Sequence, residues 1–264
     1  MSAQDGARGG PRYRPTVRSF ARTHVGRHRK DNEDAFFRDD ELRLYMVADG
    51  MGGHAAGEVA SQEAVETVYG MVKRGVVELG DREEPLDQER SRAACRIIEG
   101  AIQGATYMVF AMSELDREKS GMGTTISTAL VIGDSLVIGQ VGDSRIYRIR
   151  DEEALQITED HTLIAWQIKQ GIISPAEAKI SPFKNVITRA VGNHDYVEVD
   201  TAIIDLRQGD RYLLCSDGLH GYLTPDEIPK VVALGGDDAV ERFIQIANDR
   251  GGRDNITAVL VELL

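Results

Sequence analysis

The sequence predicts a layered α+β fold, with helices packed on β-sheets, and three of its features carry that prediction. Short runs rich in Val, Ile and Leu recur along the chain, each bounded by Gly or Asp, as buried strands are. Longer stretches place apolar residues at helical spacing. The two kinds of segment are also segregated: strands, two long helices, many strands, further helices and a last strand, where a parallel fold would alternate βαβ throughout.

In chain order, residues 1–15 are rich in Gly, Pro and Arg, lack apolar periodicity and read as a flexible arm ahead of one domain at 16–264. Residues 42–48 (LRLYMVA) read as a strand. A helix follows at about 57–72, with Ala60, Ala64, Val68 and Met71 on one stripe, and another at about 91–115. Between them, the charged stretch 81–90 (DREEPLDQER) reads as a mobile loop. Strands are expected at 125–132, 136–141 and 212–215, and the last at 256–264. A late helix at about 237–248 aligns Ala239, Val240, Phe243, Ile244 and Ala247 on one face.

Of the 264 residues, 42% are hydrophobic and 28% charged, the balance of an ordinary globular domain. The formal net charge of -12 disfavours a grip on nucleic acid or anionic lipid, both of which need surplus Lys and Arg. It leaves room for a cluster of carboxylates that holds divalent cations. The two cysteines, Cys95 and Cys215, sit in apolar settings without zinc-site or disulfide spacing and read as buried free thiols. No run approaches the roughly 20 apolar residues that span a membrane. The first residues also lack the apolar stretch of a secretory signal, so a cytoplasmic location is expected.

Several acids fall at strand edges, most beside a glycine: Asp49 in VADGMGG, Asp143 in VGDSR, Asp217 in CSDGL and Asp254 in GGRDNIT. Glu33 and Asp34, in RKDNEDAFF, join them. A strand end is a rigid mount for a ligand, and a neighbouring glycine lets backbone approach closely and offer its carbonyl. Carboxylates crowded together raise one another's pKa unless countercharge is supplied. Carboxylate and carbonyl oxygens select Mg2+ or Mn2+ over zinc, and no HxH or HExxH pattern is present. The residues alone lead to a metal-binding α+β protein, with Asp-Gly turns as the plainer reading of each motif by itself.

The series GRHRKDNEDAFF (26–37), VADGMGGHAAGE (47–58), GMGTT (121–125), VGDSRIYR (141–148), EDHT (159–162), ITRAVG (187–192), LLCSDGL (213–219) and RDNITAVLV (253–261) resembles, in content and order, the type 2C metal-dependent protein phosphatases, the compact bacterial members above all. That resemblance implies a four-layer αββα sandwich, two antiparallel sheets flanked by helix pairs. It implies two Mn2+ or Mg2+ ions held by Asp49, the Gly50 carbonyl, Asp217, Asp254 and Glu33, with a third, weaker ion between Asp143 and Asp217. Arg29, four residues before Glu33, is implied to grip the substrate phosphate, as a planar guanidinium does. Arg27 and Lys30 read as solvated neighbours.

The implied reaction has no phosphoenzyme: metal-activated water attacks phosphorus in line and the serine or threonine oxygen leaves. Met51 stands where many eukaryotic members carry a histidine proposed to protonate the leaving group. His54 and His161 are substitutes, each more simply read as structural. Residues 162–184 occupy the place of the family's flap, with Trp166 read as a packing anchor. The implied partners are phosphorylated proteins and a cognate serine/threonine kinase, for a monomeric enzyme. A non-catalytic phosphatase-fold binding module and a metal-dependent hydrolase of small phosphorylated molecules are the competing readings.

Overall fold

A computed structural model of the chain describes residues 15–52 and 56–264; the arm at 1–14 and His54 lie outside the described residues. The strands are β1 (Val17–His24), β2 (Asp34–Asp39), β3 (Leu44–Met51), β4 (Gly123–Thr124), β5 (Ile126–Ile132), β6 (Ser135–Val141), β7 (Arg145–Arg150), β8 (Glu153–Gln156), β9 (Asp200–Asp205), β10 (Arg211–Cys215) and β11 (Ile256–Leu263). The helices are α1 (Ala56–Gly75), α2 (Gln88–Leu115), α3 (Leu163–Lys169), α4 (Pro175–Ile180), α5 (Asp217–His220), α6 (Ile228–Val232) and α7 (Gly236–Asp249). One sheet runs β1-β11-β10-β7-β8; the other runs β2-β3-β5-β6-β9, with β4 beside the end of β3. Every pairing in both is antiparallel.

Three apolar clusters define the layers. The first joins α1 and α2 to the inner strands β3, β5 and β6 through Ala60, Ala64, Val68, Ile98, Ile102 and Met46. The second lies between the sheets, where Tyr45, Val131, Leu136, Tyr212, Leu214 and Val259 meet. The third packs α6 and α7 on the other sheet through Val232, Val240, Phe243, Ala258 and Leu260. Helix, sheet, sheet, helix is the expected four-layer sandwich. β5 and β6 are buried along their whole length because both faces are covered. That is why they read as unbroken apolar runs.

Local chemistry sets the details. Asp87 caps α2 by accepting a hydrogen bond from the backbone N–H of Arg90 at 2.8 Å. The stretch 81–90 is tied down rather than free: the Arg90 guanidinium donates to the carbonyls of Leu79, Asp81, Glu84 and Pro85. The charge that suggested a solvated loop is spent on backbone acceptors. On α1 the buried stripe passes through Val65, Val68 and Val72, and Met71 is only half-buried against it. The 162–184 segment carries two short helices. Thr162 caps α3, and a reciprocal Ser174–Glu177 capping box opens α4. Trp166 is about half exposed, at 52%, so it is not the packing anchor expected of it. Cys215 is buried and Cys95 only partly so; both thiols are free. Among the described residues no helix is long and apolar enough to cross a membrane.

Candidate active site

Antiparallel register gathers the acids. Cys215, the last residue of β10, pairs with Arg145 at the start of β7 and with Ala258 near the start of β11. Asp217, Asp143 and Asp254 therefore leave the sheet from one end. In the other sheet Asp34 pairs with Asp49 at the β2–β3 edge. The two sheets are stitched together there: the hydroxyls of Ser216 and Thr257 donate to Asp34 Oδ2 at 2.7 and 2.6 Å.

Polar residues around the acids hold the backbone in place. The Asp49 N–H donates to Thr125 Oγ1 at 2.9 Å, and Thr124 Oγ1 donates to the Asp49 carbonyl at 2.9 Å. Thr125 Oγ1 also meets Ser144 Oγ at 2.7 Å, which couples the Asp49 strand to the loop carrying Asp143. Asn255 ties the start of β11 to the β1–β2 loop at three points, accepting from the Glu33 N–H at 2.8 Å and donating to the carbonyls of Val25 and Asp31 at 3.0 Å each. The Gly50 N–H donates to the Glu33 carbonyl at 3.0 Å. A methyl group at Gly50 would collide with the carbonyl oxygens of Gly57 and Glu33, so only glycine brings these three segments so close.

The electrostatics follow from this crowding. Burial first, then the nearby charges of Asp34, Asp217, Asp143 and Asp254, push the Asp49 carboxyl well above the usual carboxylate range. Asp34 is pushed up to about 7 by burial, against the pull of its Thr257 and Ser216 hydrogen bonds and with Asp217 and Asp254 adding to it. Asp143 is pushed up to about 7 by burial and then by Asp217 and Asp160. Asp217 is raised by burial and by Asp254, although a hydrogen bond with Asp49 pulls it down. Glu33 is raised by burial, with Arg29 opposing. Arg29 stands half exposed at the mouth, its Nη2 2.9 Å from Asp254 Oδ2 and its Nη1 3.7 Å from Glu33 Oε2.

The seven residues that the resemblance implies for metal and phosphate thus lie in one neighbourhood: Arg29, Glu33, Asp49, Gly50, Asp143, Asp217 and Asp254. Among the described residues no three His, Cys, Asp or Glu side chains form a closed metal cage. The donor set nevertheless suits hard divalent cations. It is all oxygen, and Asp34 Oδ1 is buried with no hydrogen-bond partner among the described residues.

The histidines are supports. His161 Nδ1 accepts from the Gly142 N–H at 3.1 Å, so Nε2 carries the proton and faces Asp200 Oδ2 at 3.2 Å. His220, held neutral by burial, reaches the Asp143 carbonyl at 3.0 Å from the opposite side. Both ring nitrogens of His161 are taken. Burial pushes the Cys215 thiol up to about 12, which removes it as a nucleophile. Arg27 pairs with Asp249 at 3.2 Å, and Lys30 is exposed.

Sequence reading missed Ser216, Thr257, Asn255, Thr125 and His220 as site residues. Four of them lie in or beside a motif that carries an acid and Thr125 closes GMGTT, and that adjacency is the only signal the sequence holds for them.

Residues 22–264 match the family model described as protein phosphatase 2C. The chain is 35% identical over 243 residues to the serine/threonine phosphatase stp of Listeria monocytogenes, covering 91% of this chain and 92% of that protein. It superposes with a TM-score of 0.79 on the crystal structure of the Mycobacterium tuberculosis serine/threonine phosphatase PstP/Ppp, at 36% identity and covering 94% of this chain and 98% of that one. A structure of the PstP catalytic domain in complex with two manganese ions matches with a TM-score of 0.78, at 35% identity and covering 95% and 99%. Four layers in the expected order, acids gathered at one end of both sheets and a match across nearly the whole length place the chain in the protein phosphatase 2C family.

Proposed function

We propose that this chain hydrolyses phosphoserine and phosphothreonine esters on other proteins, with metal-activated water and without a phosphoenzyme. The observation that carries this function is the set of aspartates gathered at one end of both sheets beneath a half-exposed arginine. Asp49, the Gly50 carbonyl, Glu33, Asp217 and Asp254 would hold two Mn2+ or Mg2+ ions, and Asp143 with Asp217 a third. When bound, such cations make a water nucleophilic at neutral pH and neutralise charge on the phosphoryl oxygens.

The chain's own residues do the rest. Arg29 presents a planar fork of N–H donors at the mouth, fitted to two phosphoryl oxygens. Thr124, Thr125 and Asn255 fix the backbone on which the acids ride, so little reorganisation is left for the reaction. The segment 162–184 serves as a flap beside this mouth. It is pinned by the Leu163 N–H to the Val186 carbonyl at 2.9 Å and the Thr188 N–H to the His161 carbonyl at 2.8 Å. The physiological partners are phosphorylated proteins, including those of a cognate serine/threonine kinase, met by a monomer in the cytoplasm. The namesake activities of the Listeria and mycobacterial relatives support this reading.

The test is Mn2+-dependent phosphate release from p-nitrophenyl phosphate and from phosphoserine and phosphothreonine peptides. Asp49→Asn and Asp217→Asn should each lose most turnover while circular dichroism shows the protein folded. Near-normal turnover in either variant would remove these acids from the metal site. Peptide binding without any hydrolysis would instead favour a non-catalytic module.

A further inference from the structure

The loop before β11 and the end of the flap segment enclose a cleft of about 420 Å3 whose lining includes Asp217 and Asp254. Lys184, Tyr222, Arg250 and Arg253 line it too. We propose that this cleft takes an anionic side chain, a carboxylate or a second phosphate, flanking the phosphorylated residue, with Lys184 and Arg253 as the recognising cations. The inference rests on the phosphatase function above and deepens it by naming acidic phosphopeptides as the substrate class.

The charges in the cleft are not equivalent. The Arg250 guanidinium is committed, paired through both Nη atoms with Glu227 and donating to the Tyr222 carbonyl. Among the described residues, neither the Lys184 ammonium nor the Arg253 guanidinium has a hydrogen bond or ion pair. Both residues are exposed.

Two unpaired cations lining one cleft run against a chain whose net charge is -12. They line it together with Asp217 and Asp254. Asp254 is paired with Arg29 at 2.9 Å, and among the described residues no ion pair joins it to its sequence neighbour Arg253. The position of Arg253 is held from below: its backbone N–H donates to the Tyr222 hydroxyl at 3.2 Å. Lys184 is anchored through the flap, its N–H donating to the Ser181 carbonyl at 3.4 Å.

Position makes the cations useful. Arg29 meets Asp254, which lines the cleft, so a phosphate bound at Arg29 lies next to it. An extended peptide advances roughly 3.3–3.6 Å per residue. Side chains within about three residues of the phosphorylated serine therefore fall within reach of Lys184 and Arg253. Exposed ion pairs are individually weak and screened by salt, so the discrimination is modest and sensitive to ionic strength.

The experiment measures kcat/KM of the full chain, saturated with Mn2+, on matched phosphoserine peptides whose flanks carry Glu, a second phosphoserine, Gln or Lys. An anionic flank should raise kcat/KM about fivefold over Gln, an advantage that shrinks as salt is added. The Glu and diphosphorylated peptides show which anion the cleft takes. The double variant Lys184→Glu, Arg253→Glu should invert the order and favour Lys flanks. Mere structural damage would lower all four peptides alike and leave their ratios intact. If the variant does not fold, the wild-type ratios and Lys184→Ala decide. Equal kcat/KM for Glu, phosphoserine and Gln flanks in the wild type overturns the inference and leaves the phosphatase function standing. Failure to hydrolyse any peptide or p-nitrophenyl phosphate removes that function and this inference with it.

Discussion

Asp34, Asp49, Asp143 and Asp217 are carboxyls withdrawn from water beside one another, and the cost of charging them governs how this molecule responds to pH. An aspartate whose folded pKa exceeds its unfolded one binds more protons in the folded state. It favours folding at low pH and loses that advantage as pH rises through its folded pKa. Asp34 and Asp143 move from the ordinary 3.8 to about 7. The metal-free protein should therefore lose stability, on the order of a few kcal/mol, between about pH 4 and 7. Thermal melts in EDTA across that range should show Tm falling as pH rises, and added Mn2+ should flatten the trend. A Tm that climbs with pH in EDTA would contradict the burial of these acids. Arg29 answers a different measurement. Replacing it by Ala should raise KM for phosphopeptides about tenfold, with a smaller loss of kcat. An unchanged KM would take Arg29 out of phosphate binding.

Loops and strand ends are tied by single polar residues at the scale of elements, and Asn255 is the clearest of them. It is almost fully buried, and its amide serves the loop before β2 from both sides. Asn255→Ala would leave the Glu33 N–H and the Val25 and Asp31 carbonyls without a partner. The expected loss is about 2–4 kcal/mol, read from the urea midpoint, together with weaker Mn2+-dependent turnover. The same scale shows what a sequence reveals about elements. β5, β6 and β11 are covered on both faces and announce themselves as apolar runs. β1, β8 and β9 lie at sheet edges with mixed burial, and VRSFARTH, EALQ and DTAIID carry little apolar signal. β7, RIYRIR, hides behind arginines. Arg145 is partly buried against Asp160 with Nη2 2.6 Å from Oδ2, and Arg150 pairs likewise with Asp210 at 2.6 Å. The strand between them reads as charged surface until those partners are known.

For the whole molecule, the two sheets and their helices are one unit because the inter-sheet core is continuous under the site. Leu136 is fully buried in that core, near the start of β6 and away from the end of the strand that leads to Asp143. Leu136→Ala should cost about 2–5 kcal/mol, seen as a lower urea midpoint with the slope retained. Turnover at moderate temperature should survive, since no site residue is displaced. Loss of turnover at full foldedness would mean that the sheets transmit strain to the acids.

The sequence by itself determined the layered α+β class, the long helices, the inner strands and the acids beside their glycines, because those depend on local periodicity and on residue type. Tertiary structure alone decided that Ser216 and Thr257 reach across to Asp34, that Asn255 holds the β1–β2 loop at three points, that His161 is spent on Gly142 and Asp200, and that Lys184 and Arg253 are left unpaired in the cleft that Asp217 lines. A hydrogen bond or an uncommitted charge depends on which segments meet, and residues more than 200 positions apart, such as Glu33 and Asn255, meet only once both sheets have closed.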